Sequence, residues 1–235
     1  MSLDINYYFQ NPDALPFEGF LNGLETPADI LVKAKSFLKE LLVDSDTKEN
    51  HGDVKDGCHF YGNYYIGEGT EIYNDVTIIG PVYIGKNVEI LPGAVIRPYS
   101  IIGDKCSIGH GSEIKHVVMF SGSKVASLSF AGDSVLGKSA RLGSGVITAN
   151  RMFNQGNASV KFDGVKHDLG SDYFGCILGD YSRLGANSVT QPGTHIGPYT
   201  WVYPMTCVRG FIPAEKRVYE KKEFVFEENE KTVLK

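Results

Sequence analysis

The sequence has few of the residues that hold small domains together covalently or through a metal. Its 235 residues include only four cysteines, and no two of them form a CxxC pair. This scarcity argues against a disulfide framework and against a zinc site. We therefore expect reduced thiols with a structural role at Cys58, Cys106, Cys176 and Cys207.

Long apolar runs and an excess of positive charge are also missing. No stretch approaches the ~20 apolar residues of a membrane span, and no basic region followed by an apolar core stands near the N-terminus. These absences predict a cytoplasmic protein. The formal net charge of −5 shows no excess of positive charge, which argues against nucleic acid or an anionic membrane as the main partner.

Isoleucine recurs at a strict six-residue spacing through residues 66–114. On a helix, a step of six residues turns the side chain by about 240° and scatters these positions, whereas an even step in a strand keeps them on one face. The position four residues after each isoleucine is mostly small or β-branched, so each hexad turns one large and one small side chain inward. This pattern is the signature of a parallel β-helix, hence an all-β fold. The repeating residues are Ile66, Ile72, Ile78, Ile84, Ile90, Ile96, Ile102, Ile108 and Ile114.

The six-residue register then breaks and returns. Leu136 lies twenty-two residues after Ile114, four more than three hexads require, which predicts a loop excursion at 117–134. A later run of hexads starts thirty residues after Thr148, so 149–177 can leave the coil and rejoin it in phase. Insertions in repeat proteins collect on the functional face, so we expect the chemistry at these two excursions.

The second excursion contains a hairpin signal. Two short alternating segments flank Asp163 and Gly164, and Asp-Gly between such segments favours a two-residue β-hairpin turn. We expect this hairpin to project as an arm over a neighbouring subunit.

Three regions follow from these patterns. Residues 1–57 are predicted to form an N-terminal arm, a helix at 26–43 with an apolar face, and a linker. Residues 58–212 form the β-helix, and 213–235 form a charged tail at the surface. Because a β-helix has an open end, we expect the helix to cap the first coil or a neighbouring subunit.

Within residues 109–151 the sequence resembles a known family. The segment GHGSEIKHVVMFSGSKVASLSFAGDSVLGKSARLGSGVITAN is similar to the acetyltransferase part of the bifunctional N-acetylglucosamine-1-phosphate uridylyltransferases and their archaeal sugar-1-phosphate nucleotidylyltransferase relatives. The likeness continues through GCILGDYSRLGANSVTQPGTHIGPYTWVYP and covers about residues 26–212. It implies a single-stranded left-handed β-helix with three hexads per coil, about six coils and roughly 30 Å in height. It also implies a homotrimer with active sites between subunits.

The resemblance places acceptor-binding residues at Arg97, Glu113 and Lys115. An arginine can bind phosphate bidentately and a lysine adds a second positive charge, which suits a sugar phosphate. The alternative is that these are ordinary solvated charges on an outward strand face. Two further substrate positions implied by the family are Asn150, which could equally be a turn residue, and Lys161 in the second excursion.

The family also implies a groove for the pantetheine arm of acetyl-CoA. The positions that match this groove are Ser144, Ala186 and Pro204. Small residues are common at the corners of any β-helix, so these matches also have a purely structural explanation.

The catalytic base of the family is missing here. Where the family has a histidine and a tyrosine after GSK, this chain has Ser127 and Phe130, and a second family asparagine is replaced by Arg141. N-acetyl transfer needs a base, and serine alone cannot serve. His110 and His116 could lie near the serine, since eighteen residues make one coil and coils are about 4.8 Å apart. A histidine in such a strand is more often an ordinary outward residue.

Two other chemistries can be weighed against acyl transfer. The stretch GHGSEIKH invites comparison with γ-class carbonic anhydrases, but its histidines are six residues apart rather than five and no third ligand is evident, so we expect no metal. The nucleotidyltransferase half of the family is a separate domain with a glycine-rich loop, and the residues before the repeat carry none. Pyrophosphorylase activity is therefore not expected.

Two function classes remain from the sequence. The first is an acyl-CoA-dependent acyltransferase that acts on a sugar phosphate or nucleotide sugar. The second is a catalytically degenerate β-helix trimer that binds a sugar nucleotide or a protein partner. The first is the preferred interpretation, and the joint loss of the family's histidine, tyrosine and asparagine supports the second.

Overall fold

The hexad repeat winds into a left-handed parallel β-helix with a triangular cross-section. The computed structural model describes residues 3–10 and 15–221. Each complete coil contributes one short strand to each of three faces, which we name A, B and C in the order in which the chain meets them; the last described coil has strands on faces A and B. The isoleucines of the repeat point inward and are fully buried. Nine strands stack on face B, so the helix has nine coils and is about 40 Å tall at the usual strand spacing.

The strands of each face pair in parallel with those one coil above and below. Face A consists of Lys48–Asn50, Tyr64–Ile66, Val82–Ile84, Ser100–Ile102, the ends of Glu113–Met119 and Phe130–Leu136, Cys176–Leu178, Thr194–Ile196 and Phe211–Ile212. Face B consists of Asp53–Val54, Glu71–Ile72, Glu89–Ile90, Ser107–Ile108, Lys124–Val125, Arg141–Leu142, Arg183–Leu184, Trp201–Val202 and Arg217–Val218. Face C consists of His59–Tyr61, Thr77–Ile79, Val95–Arg97, the beginnings of Glu113–Met119 and Phe130–Leu136, Ile147–Thr148, Val189–Thr190 and Cys207–Val208.

The β-helix is longer than the sequence pattern indicated. Its first strand, Lys48–Asn50, lies in the segment expected to be a linker, and its last strand, Arg217–Val218, lies in the expected tail. The terminal coils were missed because each has one side on which the inward residues are four rather than six residues apart, Asn50 to Val54 in the first coil and Val208 to Ile212 in the last. The short, polar first strand also protects an open sheet edge from pairing with other chains. The rest of the predicted tail, residues 222–235, lies outside the described residues.

Residues 117–134 form a coil instead of the predicted loop. The two seven-residue strands Glu113–Met119 and Phe130–Leu136 pair in register, with Ile114 opposite Ala131 and Met119 opposite Leu136. The twenty-two residues from Ile114 to Leu136 therefore cover four sides of the β-helix and no loop. Two of these sides are one residue shorter than a hexad.

The shortened sides turn at two residues with left-handed backbone conformation. His116 has a φ of 51° and Asp133 a φ of 45°, and each stands where most coils have a longer turn. This local shortening is what shifts the hexad register. It also places the two side chains at one corner, one coil apart.

The second excursion contains the predicted hairpin. Strands Ser159–Phe162 and Val165–Asp168 pair antiparallel, and Asp163 and Gly164 form the turn with φ values of 47° and 80°. The hairpin does not extend as a free arm. Val160 is fully buried, and the ring of Phe162 meets that of Phe211 at 4.9 Å in the last coil of face A.

The N-terminal segment covers the outside of face A and does not cap the open end. Helix α1 (Ile5–Tyr8) and helix α2 (Asp29–Leu38), which continues as a π-helical turn at Lys39–Val43, lie in this segment. Four apolar residues point outward from face A, and covering them removes a stripe that water would otherwise contact. These residues are Ile101, Val118, Val135 and Ile177, all fully buried in a cluster with α2.

Helix α2 begins three residues later than the sequence indicated. Thr26, the first residue of the predicted range, donates from its backbone N–H to Asp29 Oδ2 at 2.8 Å and from its hydroxyl at 3.0 Å. The carboxylate in the first turn is thus the acceptor, which suits the positive end of the helix dipole. No helix in the described residues is long and apolar enough to cross a membrane.

The four cysteines are free thiols. Burial raises the pKa of Cys106 to about 11 and that of Cys176 to about 12, so both are protonated and pack in the core. Cys58 is half-buried and Cys207 is exposed.

Candidate functional site

One group of charged side chains lies at the corner between faces C and A. Arg97 and Lys115 occupy the same register position in adjacent coils. Arg97 Nη1 donates to Glu113 Oε1 at 2.6 Å, and about two fifths of each side chain is exposed. The three acceptor-binding residues implied by the resemblance therefore lie together at this corner, on adjacent coils.

Asp133 is the centre of this C–A corner. Its Oδ2 accepts hydrogen bonds from Lys115 Nζ at 3.0 Å and Asn150 Nδ2 at 2.6 Å, and its Oδ1 faces His116 Nδ1 at 2.9 Å. Burial alone would raise the pKa of this carboxyl. The hydrogen bonds from His116, Lys115 and Asn150 outweigh burial and hold the pKa below its usual value. The sequence did not single out Asp133, because an aspartate in a Gly-Asp corner looks like a turn residue.

His116 cannot serve as the base at this corner. Its Nδ1 faces the Asp133 carboxylate, and its Nε2 lies 3.0 Å from the carbonyl oxygen of Leu31 in α2. Both ring nitrogens are therefore engaged by oxygen atoms of the protein, and neither is left for a substrate. The ring ties the N-terminal helix to the corner.

Tyr173 completes the corner from the second excursion. Lys115 Nζ lies 4.2 Å from the centre of its ring, and Arg151 Nη1 donates to its hydroxyl at 2.7 Å. A cavity of about 320 Å³ opens here, and Lys35 of α2 also lines it. Sequence reasoning missed Tyr173, since nothing in the pattern shows where the excursion returns to the coil.

The other predicted substrate residues are divided between this corner and its surroundings. Asn150 belongs to the corner through Asp133. Phe130 lies on face C, and its ring packs so closely on Gly132 that a Cβ there would approach it to 2.7 Å. Lys161 lies on the hairpin beside a different cavity and does not line the one at the C–A corner.

A second group of predicted residues lies at the corner between faces B and C. At this corner a backbone N–H of one coil donates to a carbonyl oxygen of the coil below. Leu128 donates to His110 at 2.8 Å, and Gly145 donates to Ser127 at 3.0 Å. The same ladder continues through the carbonyls of Ser144 and Ala186. The B–C corner thus aligns, in successive coils, His110, Ser127, Ser144, Ala186 and Pro204.

A trough of about 450 Å³ runs beside the B–C corner on face B. Gly143 and Gly185 lie in its wall, and a Cβ on Gly185 would approach the backbone nitrogen of Pro204 to 2.4 Å. Cationic side chains follow its edge in register from coil to coil, interrupted by one indole. This row comprises Lys124, Arg141, Arg183, Trp201 and Arg217.

His110 differs from His116 in having one nitrogen available. Its Nδ1 lies 2.7 Å from the carbonyl oxygen of Pro92, one coil below. That oxygen can only accept, so Nδ1 carries the proton and the exposed Nε2 keeps its lone pair. The hydroxyl of Ser127, one coil above, has no hydrogen-bond partner among the described residues.

The two corners bracket face C and are not in contact. Ser127 and Gly132 are five residues apart in the same coil, and an extended chain of that length spans about 17 Å. The two histidines that suggested a metal site therefore lie on different corners. In the part of the chain that the structure describes, no three His, Cys, Asp or Glu side chains are grouped to hold a metal ion.

Comparison with known proteins shows relatives along most of the chain. Residues 78–181 match the family model described as the GMPPB C-terminal domain. The bifunctional sugar-1-phosphate nucleotidylyltransferase/acetyltransferase of Sulfurisphaera tokodaii is 35% identical over 83% of this chain and 47% of its own length. The bifunctional protein GlmU of Methanococcus aeolicus is 30% identical over 94% of this chain and 52% of its own length. The chain spans about half the length of these bifunctional relatives.

A third relative matches nearly from end to end. The uncharacterized acetyltransferase YaiX of Escherichia coli O6:K15:H31 is 32% identical over 90% of this chain and 91% of its own length.

Proposed function

The chain belongs to the hexapeptide-repeat β-helix acetyltransferases, related to the acetyltransferase part of the bifunctional sugar-1-phosphate nucleotidylyltransferases, and we propose that it transfers an acetyl group from acetyl-CoA to a sugar phosphate or nucleotide sugar. His110 is the general base of this proposal.

The orientation of His110 is the observation that carries the proposal. The hydrogen bond from Nδ1 to the Pro92 carbonyl fixes the tautomer in which Nε2 is the acceptor, as a base requires. Nε2 takes the proton of an acceptor hydroxyl or amine as that group attacks the thioester carbonyl carbon. The carbon–sulfur bond breaks, and the leaving thiolate takes up the proton that His110 holds, which frees the thiol and restores the neutral imidazole. His110 thus takes over the task of the family histidine, whose position is held by Ser127.

The trough on face B supports acetyl-CoA as the donor. Its narrow wall at Gly143 and Gly185 suits an unbranched arm, and the cations of Arg141 and Arg183 suit phosphate groups. The replacement of a family asparagine by Arg141 adds to this positive edge.

The C–A corner supports an acidic acceptor. Asp133 pairs with Lys115 Nζ and His116 Nδ1, while Lys35 lines the same cavity without an ion-pair partner among the described residues. A phosphate is the anion that such a corner would bind through charge-assisted hydrogen bonds.

A homotrimer is part of the proposal, because the donor and acceptor corners of one chain are on opposite sides of face C. Apart from Glu113, which lies between Val95 and Phe130, the residues of one outward column on this face are partly exposed and apolar, and a ring of three copies would bury them. They include Val95, Phe130, Ile147 and Val189. In such a ring, one copy's B–C corner would approach the next copy's C–A corner.

A second candidate function is binding without catalysis. Ser127 and Phe130, at the positions of the family's histidine and tyrosine, favour it. A chain of this class would bind a sugar nucleotide and release no thiol.

Thiol release from acetyl-CoA with a panel of amino sugars, sugar phosphates and nucleotide sugars tests the proposal. We expect acceptor-dependent release with at least one phosphorylated sugar, and a trimer mass in light scattering. Binding of acetyl-CoA without release for any acceptor would favour the second candidate. A monomer at micromolar concentration would contradict the shared site.

A further inference from the structure

The hairpin of the second excursion carries an unfavourable pair of like charges. Lys161 and Lys166 are direct cross-strand partners, so their Cβ atoms are about 5 Å apart. Like charges directly opposite each other destabilise a strand pair. Neither lysine has an ion-pair partner within residues 3–10 and 15–221. A local rule broken without compensation in the chain often marks a functional site.

The hairpin is held firmly enough to fix the two lysines. Val160 and Phe162 alternate with Lys161, so they point to the opposite face, where Val160 is buried and Phe162 meets Phe211. The base of the hairpin touches the coil so closely that a Cβ on Gly193 would lie 2.7 Å from the carbonyl oxygen of Ser159. The hairpin is therefore packed against the coil, and the face that carries the two lysines points away from this contact.

A third cation faces the same cavity. Arg209, from the last coils at the C–A corner, lines a cavity of about 860 Å³ together with Lys161 and Lys166. Ser159 and Gln191 add neutral hydrogen-bonding groups, and none of the lining residues is an aspartate or glutamate. We call this cavity, between hairpin and coil, the hairpin groove.

We propose that the hairpin groove binds a phosphate-bearing anion at a site separate from the acetyl-transfer corners. Two ammonium groups and a guanidinium suit the several oxygens of a phosphate or diphosphate. Arg209 lies four coil steps beyond Lys115 along the same corner, which is about 19 Å at the usual strand spacing. A single small phosphate cannot reach both positions.

Calorimetric titration with inorganic pyrophosphate tests this site. We expect saturable binding that weakens at least tenfold in the double variant Lys161→Gln/Lys166→Gln, and similarly in Arg209→Gln. A matched control is Lys39→Gln/Lys105→Gln, which removes the same charge from exposed lysines elsewhere and should bind as the unmodified protein does. Titration with UDP in parallel distinguishes a nucleotide from an inorganic source, since a nucleotide site should bind UDP more tightly than pyrophosphate.

Three outcomes would overturn the proposal. They are no binding of either probe, unchanged affinity in the hairpin and Arg209 variants, and an equal loss in the control. The variant Arg97→Gln/Lys115→Gln separates this site from the acceptor corner. If it alone abolishes pyrophosphate binding, the hairpin groove is not the site. Arg209→Gln leaves the hairpin sequence intact, so it remains informative if the lysine variant does not fold.

Discussion

The B–C and C–A corners of the same coils differ in how fully their polar groups are paired. At the C–A corner, Asp133 accepts from three side chains and His116 uses both nitrogens. At the B–C corner, His110 has one partner and an exposed Nε2, and the hydroxyl of Ser127 has no partner among the described residues.

The difference shows that a dense polar cluster is not by itself a reactive centre. The polar groups of the C–A corner are hydrogen-bonded to one another, so they fix the positions of neighbouring side chains and of the N-terminal helix. A base needs a lone pair that the fold leaves free. By this criterion we propose the sparse corner as the place of proton transfer and the dense one as the place where an anion binds, next to the contact with the N-terminal helix.

Removing the centre of the dense corner should have the largest effect on stability. Asp133→Ala leaves the buried His116 and the partly buried Lys115 without their counter-charge, and breaking such a pair costs about 3–5 kcal/mol. Urea unfolding followed by circular dichroism measures this loss. The exposed pair nearby is the control, because Glu113→Ala should cost about 0.5 kcal/mol or less. Equal losses would mean that the corner is not held by its buried carboxylate.

A third histidine, His195, predicts how the stability of the fold depends on pH. His195 is buried on face A, and burial lowers its pKa to about 4. Below pH 6.5 the unfolded chain binds a proton that the folded chain does not bind until about pH 4. The free energy of unfolding therefore falls by about 3 kcal/mol across this window. Unfolding of the wild type and His195→Gln from pH 7 to pH 4 measures it, and parallel pH profiles would contradict it.

The cations of the trough should affect donor binding more modestly. Arg141→Gln/Arg183→Gln removes two exposed charges, and we expect KM for acetyl-CoA to rise about tenfold with little change in kcat. Steady-state thiol release gives both constants. The charge-matched Lys39→Gln/Lys105→Gln should behave as the wild type. A fall in kcat with KM unchanged would contradict a role of the two arginines in binding acetyl-CoA.

Ser127 should have the smallest effect, although it stands at the family's catalytic position. Its hydroxyl has no partner to lose among the described residues, so Ser127→Ala should change stability by less than about 0.5 kcal/mol and the rate by less than about twofold. Thermal unfolding and the same thiol assay measure both. A hundredfold loss of rate would contradict this prediction and indicate that Ser127 takes part in the reaction.

The sequence predicted the core well and its register poorly. The repeating isoleucines define the inward positions because even spacing in strands is a local property. The shortened sides at His116 and Asp133 were read as a loop, since single residues with positive φ can replace a longer turn without any mark in the pattern. The terminal coils were missed for a similar reason, because each contains a side with four-residue spacing, between Asn50 and Val54 and between Val208 and Ile212.

The partners of the site residues could not be read from the sequence. The contact between His116 and the carbonyl of Leu31 joins positions 85 residues apart, and it depends on where α2 docks. Tyr173 reaches Lys115 only because the second excursion returns at that corner. By contrast, the common corner of Ser144, Ala186 and Pro204 follows from the repeat.

Acetyl-CoA-dependent thiol release by His110→Ala and His116→Gln, measured against the wild type with the best acceptor, tests the division between the corners most directly. We expect His110→Ala to lose about 10²–10⁴ in kcat while its melting temperature and KM for acetyl-CoA stay near those of the wild type. We expect His116→Gln to lose stability and to retain most of its kcat at temperatures where it is folded. A wild-type rate in His110→Ala, or a rate lost only in folded His116→Gln, would contradict the assignment of the base to the B–C corner.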